Sequence, residues 1–177
     1  MTRAAAPTDA NPPLGPTQPI DLRDLRNALG CFATGVTVIT AVGSDRLPVA
    51  LTINSFTSVS LDPALVLWCL SVRSPNLPAF RDASHFAINV LGRDREAFGR
   101  HFARRAEDKF SSIRWTAGLG GAPLLDGTVA QFQCRKSETL DGGDHVIFLG
   151  AVEAYEYGPG EPLLFSRGHF GTFSPEN

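Results

Sequence analysis

The chain has 177 residues, 43% hydrophobic and 19% charged, with a formal net charge of −2 and a pI of about 6.1. That composition suits one soluble domain with its own core and argues against a basic nucleic-acid footprint. Cys31, Cys69 and Cys134 are far apart, odd in number and set in apolar sequence, which argues against a disulfide framework or a metal site and for buried, reduced thiols.

The first twenty residues, MTRAAAPTDANPPLGPTQPI, are rich in Pro, Ala and Thr and lack the apolar core of a signal peptide. They are expected to form a disordered tail ahead of one domain over 21–177. No apolar run is long enough to span a membrane, and the expected location is the cytoplasm.

Asp21 is a good N-cap, and Leu22, Leu25, Leu29 and Phe32 follow at helical spacing, with Gly35 placed to end the helix. VTVITAV (36–42) is a β-branched run, GSDRLP (43–48) is turn chemistry, and VALTIN (49–54) is the return strand. LVLWCLSV (65–72) is almost wholly apolar and predicts a central strand or one covered on both faces. Ser74 and Pro75 open a short helix to about Asp82, and FAINVL (86–91) is a further strand.

Residues 94–105 carry Phe98 and Phe102 one turn apart and predict an amphipathic helix. Its arginines, Arg93, Arg95, Arg100, Arg104 and Arg105, form either a solvated face or a phosphate contact. Trp115 marks a short strand, GLGGAP (118–123) reads as a loop, and PLLF (162–165) as a last short strand. The segments 128–139 and 144–157 flank the turn DGG (141–143) and predict a hairpin. About seven strands and three irregularly placed helices favour an antiparallel barrel with helices at its rim, mainly β in class.

Two features stand apart. LTINSFTSVSLDP (51–63) packs six short polar side chains into nine positions, Thr52 to Ser60. Such a stretch is either a set of local Ser/Thr turns or a neutral cradle for a phosphate or a heterocycle edge. In GGDHVIFLG (142–150), His145 stands between a turn and a strand expected to be buried on both faces, so it is either a bystander or a ligand-facing ring. Cysteine catalysis would need a histidine partner that the sequence does not mark.

The segments FATGVTVIT (32–40), NSFTSVSLDPALVLW (54–68), FAINVL (86–91), EDKF (107–110), GGDHVIFLG (142–150) and PLLFSRGHF (162–170) occur in one consistent order. In this the chain resembles the flavin reductase family with the FMN-binding split-barrel fold, the small reductase components of two-component flavin-dependent monooxygenases. The resemblance implies a homodimer that passes hydride from NADH or NADPH to FMN or FAD and hands reduced flavin to a partner monooxygenase. NADH is favoured, since no basic pocket for a 2′-phosphate is marked.

By the same resemblance, Ala50, Leu51, Thr52, Asn54 and Ser55 face the flavin ring edge. Cys69, Leu70, Ser71, Ser74 and Asn76 reach ribityl or phosphate oxygens, Cys69 through its backbone alone. Phe102, Arg104, Lys109 and Phe110 close the phosphate or adenylate side, with plain packing the alternative for Phe110 and a surface position the alternative for Lys109. His145 lines the nicotinamide side as a positioning residue, beside a loop formed by Arg167, Gly168 and His169. His85 and His101 receive no role. Competing readings are a non-enzymatic flavin carrier on the same fold, an enzyme oxidising a pyridoxal-type substrate, and a small barrel for an apolar ligand.

Overall fold

A computed structural model describes residues 19–105 and 108–174. All but Pro19 and Ile20 of the expected tail, and Glu107 of the EDKF segment, lie outside those residues. In chain order the elements are α1 (Leu22–Leu29), β1 (Thr34–Gly35), β2 (Thr37–Val42), β3 (Pro48–Ile53), β4 (Thr57–Leu61), β5 (Ala64–Ser71), α2 (Leu77–Asp82), β6 (His85–Val90), α3 (Glu96–Ala103), β7 (Trp115–Ala117), β8 (Pro123–Leu125), β9 (Ala130–Gly142), β10 (His145–Tyr157), β11 (Leu163–Ser166) and β12 (His169–Thr172). The class is mainly β with a few helices, as the sequence implies.

The strand count is higher than the seven expected, for identifiable reasons. The Ser/Thr-rich segment does not stay a turn, because Thr57 to Leu61 pair with β5 as an edge strand. The stretch after Arg167 folds back as β12. Pro123 to Leu125 pair with the expected Trp115 strand. The principal sheet is antiparallel, in the order β3-β2-β6-β9-β10-β5-β4. A smaller sheet, β1-β11-β12, stands beside it.

Helix α1 starts where expected, since the Asp21 carboxylate accepts from the N–H groups of Arg23 (2.8 Å) and Asp24 (3.2 Å). It ends at Gly30, not Gly35. The N–H of Gly30 bonds the Arg26 carbonyl, and Cys31 and Phe32 close tighter turns onto Ala28 and Leu29. Gly35 is drawn instead into β1, opposite Leu164.

β5 is the interior strand that the sequence allowed, between β10 and β4, but burial on both faces lies in strands other than β5 and β10. In β5 and β10 burial alternates: Val66, Trp68, Leu70, Val146 and Phe148 are buried, while Leu67, Cys69, Ile147 and Leu149 are only half-buried. β6 is buried on both faces, and so is its neighbour β2. Its Ile39 and Ala41 join a cluster with Trp68, Phe80, Phe86 and Phe148, whereas Val38 joins a second cluster with Leu91, Phe102 and Leu163. β2 lies between β3 and β6, so α3 and the small sheet can cover one of its faces while α2 and the aromatic cluster cover the other. Trp68 stacks on Phe148 at 4.4 Å and meets Phe80 edge-on at 5.0 Å, a packing whose truncation typically costs about 3–5 kcal/mol.

One apolar surface remains open. α1 buries no residue, and Leu22, Leu29 and Phe32 are 72%, 66% and 79% exposed. The outer face of the principal sheet sets Leu67 beside Leu149 and Cys69 beside Ile147. The expectation that all three cysteines are buried fails: Cys134 is buried and its thiol is pushed up to about 12, chiefly by burial, but Cys69 is half-buried and Cys31 exposed. No helix among the described residues is long and apolar enough to cross a membrane.

Candidate functional site

Strand β3 runs down one wall of a groove made of three cavities. The first, about 580 Å³, is lined by Leu51, Thr52, Ser74, Asn76, Arg104 and Lys109, among others. The second, about 190 Å³, shares Thr52 and Ala103 with it and adds Gly99, Asn54, Phe165 and Phe170. The third, about 980 Å³, shares Asn54 and Phe165 and adds Ser55, Arg26, Phe32, Arg167 and Gly168. These shared walls make the three one groove, cationic at both ends and neutral or apolar between.

The first end is held by side chains that bond backbone. Lys109 donates from Nζ to the carbonyls of Ala50 (3.2 Å) and Phe102 (3.0 Å). Asn76, the N-cap residue of α2, makes no side-chain cap and instead donates from Nδ2 to the same Ala50 carbonyl at 3.3 Å. The loop carrying Lys109 is shaped by the Asp108 carboxylate, which accepts from the N–H groups of Phe110 and Ser111 at 3.0 Å. Those bonds hold Asp108 below the usual carboxylate range, and partial burial draws the Lys109 ammonium below its ordinary 10.5. Two carbonyls still favour its charged form, so at neutral pH it remains a cation with one N–H left over.

The middle of the groove is less free than the sequence suggests. Thr52 Oγ1 donates to the Gly99 carbonyl at 2.7 Å, fixing α3 against β3. The Ser55 hydroxyl accepts from the Cys69 N–H at 3.0 Å and lies 3.3 Å from the Cys69 carbonyl, stapling the β3–β4 loop to β5. Ser58 and Ser60 belong to edge strand β4. The polar stretch therefore divides: Thr52 and Ser55 build the wall, and exposed Asn54 is the side chain free to meet a ligand.

The far end is a hairpin tip. Arg167 and Gly168 take φ values of +49° and +83°, the pair of positive values that a type I′ turn requires between β11 and β12. The Gly30 carbonyl accepts from the Arg167 N–H (2.8 Å) and from Ser166 Oγ (3.0 Å), clamping this tip to the end of α1. His169 is exposed beside it and lines none of the three cavities.

Several expected residues fall elsewhere. Leu70 is buried in the aromatic cluster, so only its backbone could meet a ligand. Phe102 is fully buried in the second cluster, which removes its side chain from the expected contact, and Phe110 packs against it, which favours the packing alternative for Phe110. Ser71 lines none of the three cavities; its Oγ accepts from the Arg73 N–H, and its carbonyl from Ser74. His145 opens β10 opposite Ser71, with Nδ1 2.8 Å from the Asp144 carboxylate, whose affinity for protons that bond lowers. Its hairpin turns on Gly143 and Asp144, two positions beyond the expected start, with Asp141 and Gly142 absorbed into β9. His145 lines none of the three cavities, and no bond or cavity joins it to the Arg167 hairpin among the described residues.

Sequence reasoning missed two contributors. His101 is half-buried in the last turn of α3, and its Nε2 lies 2.8 Å from the Lys109 carbonyl, bracing the loop that presents Lys109. Arg26 lines the third cavity from α1. Neither carries a local signal, because each acts across a loop that only the fold closes. Among the described residues, no group of three or more His, Cys, Asp or Glu is placed to hold a metal ion.

Comparison with known proteins bears on what such a groove takes. A family model described as a flavin reductase like domain matches residues 29–174. The chain is 46% identical to the FMN reductase (NADH) SmoA of Agrobacterium fabrum over 152 residues, 86% of either protein. It is 42% identical to the reductase component of the flavin-dependent trigonelline monooxygenase of Acinetobacter baylyi, covering 85% of this chain but 49% of that relative. The NADH:FAD oxidoreductase of Streptomyces globisporus, solved with NAD and FAD fragments, superposes with a TM-score of 0.83 at 41% identity, over 90% of this chain and 99% of that one.

Proposed function

The chain belongs to the flavin reductase family, and from that premise we propose an NAD(P)H:flavin oxidoreductase that feeds reduced flavin to a partner monooxygenase. The observation that carries the reading for this chain is the groove: one continuous trough, cationic at each end, with hydrogen-bonding backbone and apolar walls between. A flavin and a dinucleotide together need that pattern, since each brings an apolar ring and an anionic tail.

The residues fit a flavin. Lys109, held by two carbonyls with a third proton to offer, suits a phosphate, and Ser74, Asn76 and exposed Arg104 stand on the same cavity. Leu51, Thr52, Asn54 and Ser55 line the groove where a ring edge would lie, while Ala50 and Cys69 stand behind that wall, their carbonyls already engaged by Lys109 and Ser55. When bound, the flavin supplies the hydride-accepting centre. The protein's part is to orient: β3 and α3, locked together by the Thr52 bond, would form the surface that holds the rings, and N–H donors along β3 would meet charge that develops on the flavin. No acid–base pair is needed. The open groove suits a flavin that exchanges freely.

The fold reading is the split barrel, and the assembly a homodimer. The exposed leucines of α1 and the half-covered outer face of β5 and β10 supply an apolar surface of the kind a second copy covers. That arrangement also answers the placement of His145. His145 and the Arg167–His169 hairpin are both assigned to the nicotinamide, yet they stand apart in one chain, so a second copy must bring one to the other. Reduced thiols, one of them exposed, suit the cytoplasm.

The test is steady-state oxidation of NADH and NADPH with FMN and FAD in turn. Turnover with free flavin, best with NADH, is the expected result. Flavin binding without dinucleotide oxidation in all four combinations would leave a carrier instead.

A further inference from the structure

The third cavity has more cation than a nicotinamide ring requires. Arg26 enters it from α1 and Arg167 from the β11–β12 tip, and no carboxylate pairs with either among the described residues. The wall carries one acidic side chain, Asp24, against these two arginines. The backbone positions of the two arginines are also fixed relative to each other. Gly30 N–H bonds the Arg26 carbonyl, and the Gly30 carbonyl accepts the Arg167 N–H, so one glycine joins their backbones. A Cβ on Gly30 would come within 3.4 Å of the Arg167 Cα, so side-chain bulk is absent where the two segments meet. Between them and the middle of the groove lie Asn54 and Phe165, the residues shared with the small central cavity.

We infer that Arg26 and Arg167 form the subsite for the diphosphate of the nicotinamide dinucleotide. This rests on the function proposed above and adds to it the group that recognises the donor. Two guanidinium forks match two adjacent phosphates, with paired N–H donors for each, and Arg serves that geometry better than Lys. The flavin's own anion is already met at the opposite end by Lys109. The rings then meet over Thr52, Asn54 and Phe165, midway between two anion sites.

The experiment compares Arg26→Gln and Arg167→Asn with wild type; Asn tolerates the positive φ at position 167. Three probes are used: NADH, a synthetic dihydronicotinamide lacking any phosphate, and ADP-ribose. The inference requires that kcat/KM for NADH fall about 10- to 100-fold in each variant, the range expected for losing a charge-assisted contact. Oxidation of the phosphate-free donor must stay within about twofold in Arg26→Gln, and calorimetric affinity for ADP-ribose must fall in parallel with NADH in both variants. An equal loss with both donors in Arg26→Gln would assign Arg26 to ring placement or folding and overturn the inference. A fall in affinity for FAD but not FMN would assign the arginines to the flavin's diphosphate and overturn it. So would a change in oligomeric state by sedimentation, or no change with NADH. If wild type oxidises neither donor, the proposed function itself fails, a result distinct from all of these.

Discussion

At the Lys109 end of the groove, Lys109, Asn76 and His101 come from three different segments and each locks onto a backbone carbonyl. At the Arg167 end, the hairpin tip is braced by two bonds to a single carbonyl, that of Gly30. Gly30 in turn follows a helix that buries nothing in its own chain. The first end is completed by one chain's own core. In the proposed homodimer the second would gain its rigidity when a second copy covers α1. A phosphate would then be met at a preformed site, while the proposed donor site would depend on assembly.

The largest expected effect breaks the second end through that dependence. Leu149→Glu puts a carboxylate on the outer sheet face beside Leu67 without touching any groove residue. Burying that charge costs several kcal/mol, so dimer association should weaken by about 100-fold or more. Sedimentation velocity checks it, and an unchanged dimer would remove this face from the interface. NADH turnover should fall with the dimer, while flavin affinity holds.

Lys109→Ala attacks the other end. Flavin affinity should fall about 10- to 100-fold by fluorescence titration. The pH dependence sharpens the point. Partial burial lowers the folded-state pKa of Lys109 below 10.5, so the folded chain binds fewer protons than the unfolded chain as pH approaches that value from below. Stability from this group therefore rises with pH across that window, because a burdened charge is released. Flavin affinity moves the opposite way, falling as the ammonium is lost, and the Lys109→Ala variant should show neither trend.

How far these two ends were legible beforehand differs too. Lys109 stands in a motif segment, Ser74 and Asn76 at the start of the predicted short helix, and the structure gathers them on one cavity. Asp21 announced α1, and the β9–β10 hairpin announced itself through its glycines. What failed was burial. The apolar runs of β5 and β10 suggested strands covered on both faces, but a sequence does not distinguish a face covered by its own chain from one left for a second copy. β2, with two threonines inside it, is covered on both sides because α3 and the small sheet return to it from far along the chain. The role of His101 was invisible for the same reason.

His145→Ala should have a smaller effect, slowing flavin reduction by NADH about tenfold in stopped-flow experiments while flavin binding stays within twofold. Unchanged reductive kinetics would make His145 a strand-end bystander. Least of all, Gly168→Ala should lower stability by about 1 kcal/mol, or about 2–4 °C in Tm, because Gly168 sits at φ +83° with open space around its Cα. A scanning calorimetry trace with unchanged Tm would show that the tip readily adopts another turn.

The Gly30 carbonyl has a consequence for engineering. Outside its own sheet, the tip of the β11–β12 hairpin is tied through that one acceptor, using a main-chain donor and a serine hydroxyl. The main-chain donor persists whatever side chain other than proline occupies position 167. The tip can therefore be exchanged as a cassette: a turn that keeps Ser166 and Gly168 while varying position 167 and its surroundings leaves the seven-stranded sheet and the Lys109 end undisturbed. Libraries confined to that turn are the economical route to a reductase that accepts a different or simpler electron donor.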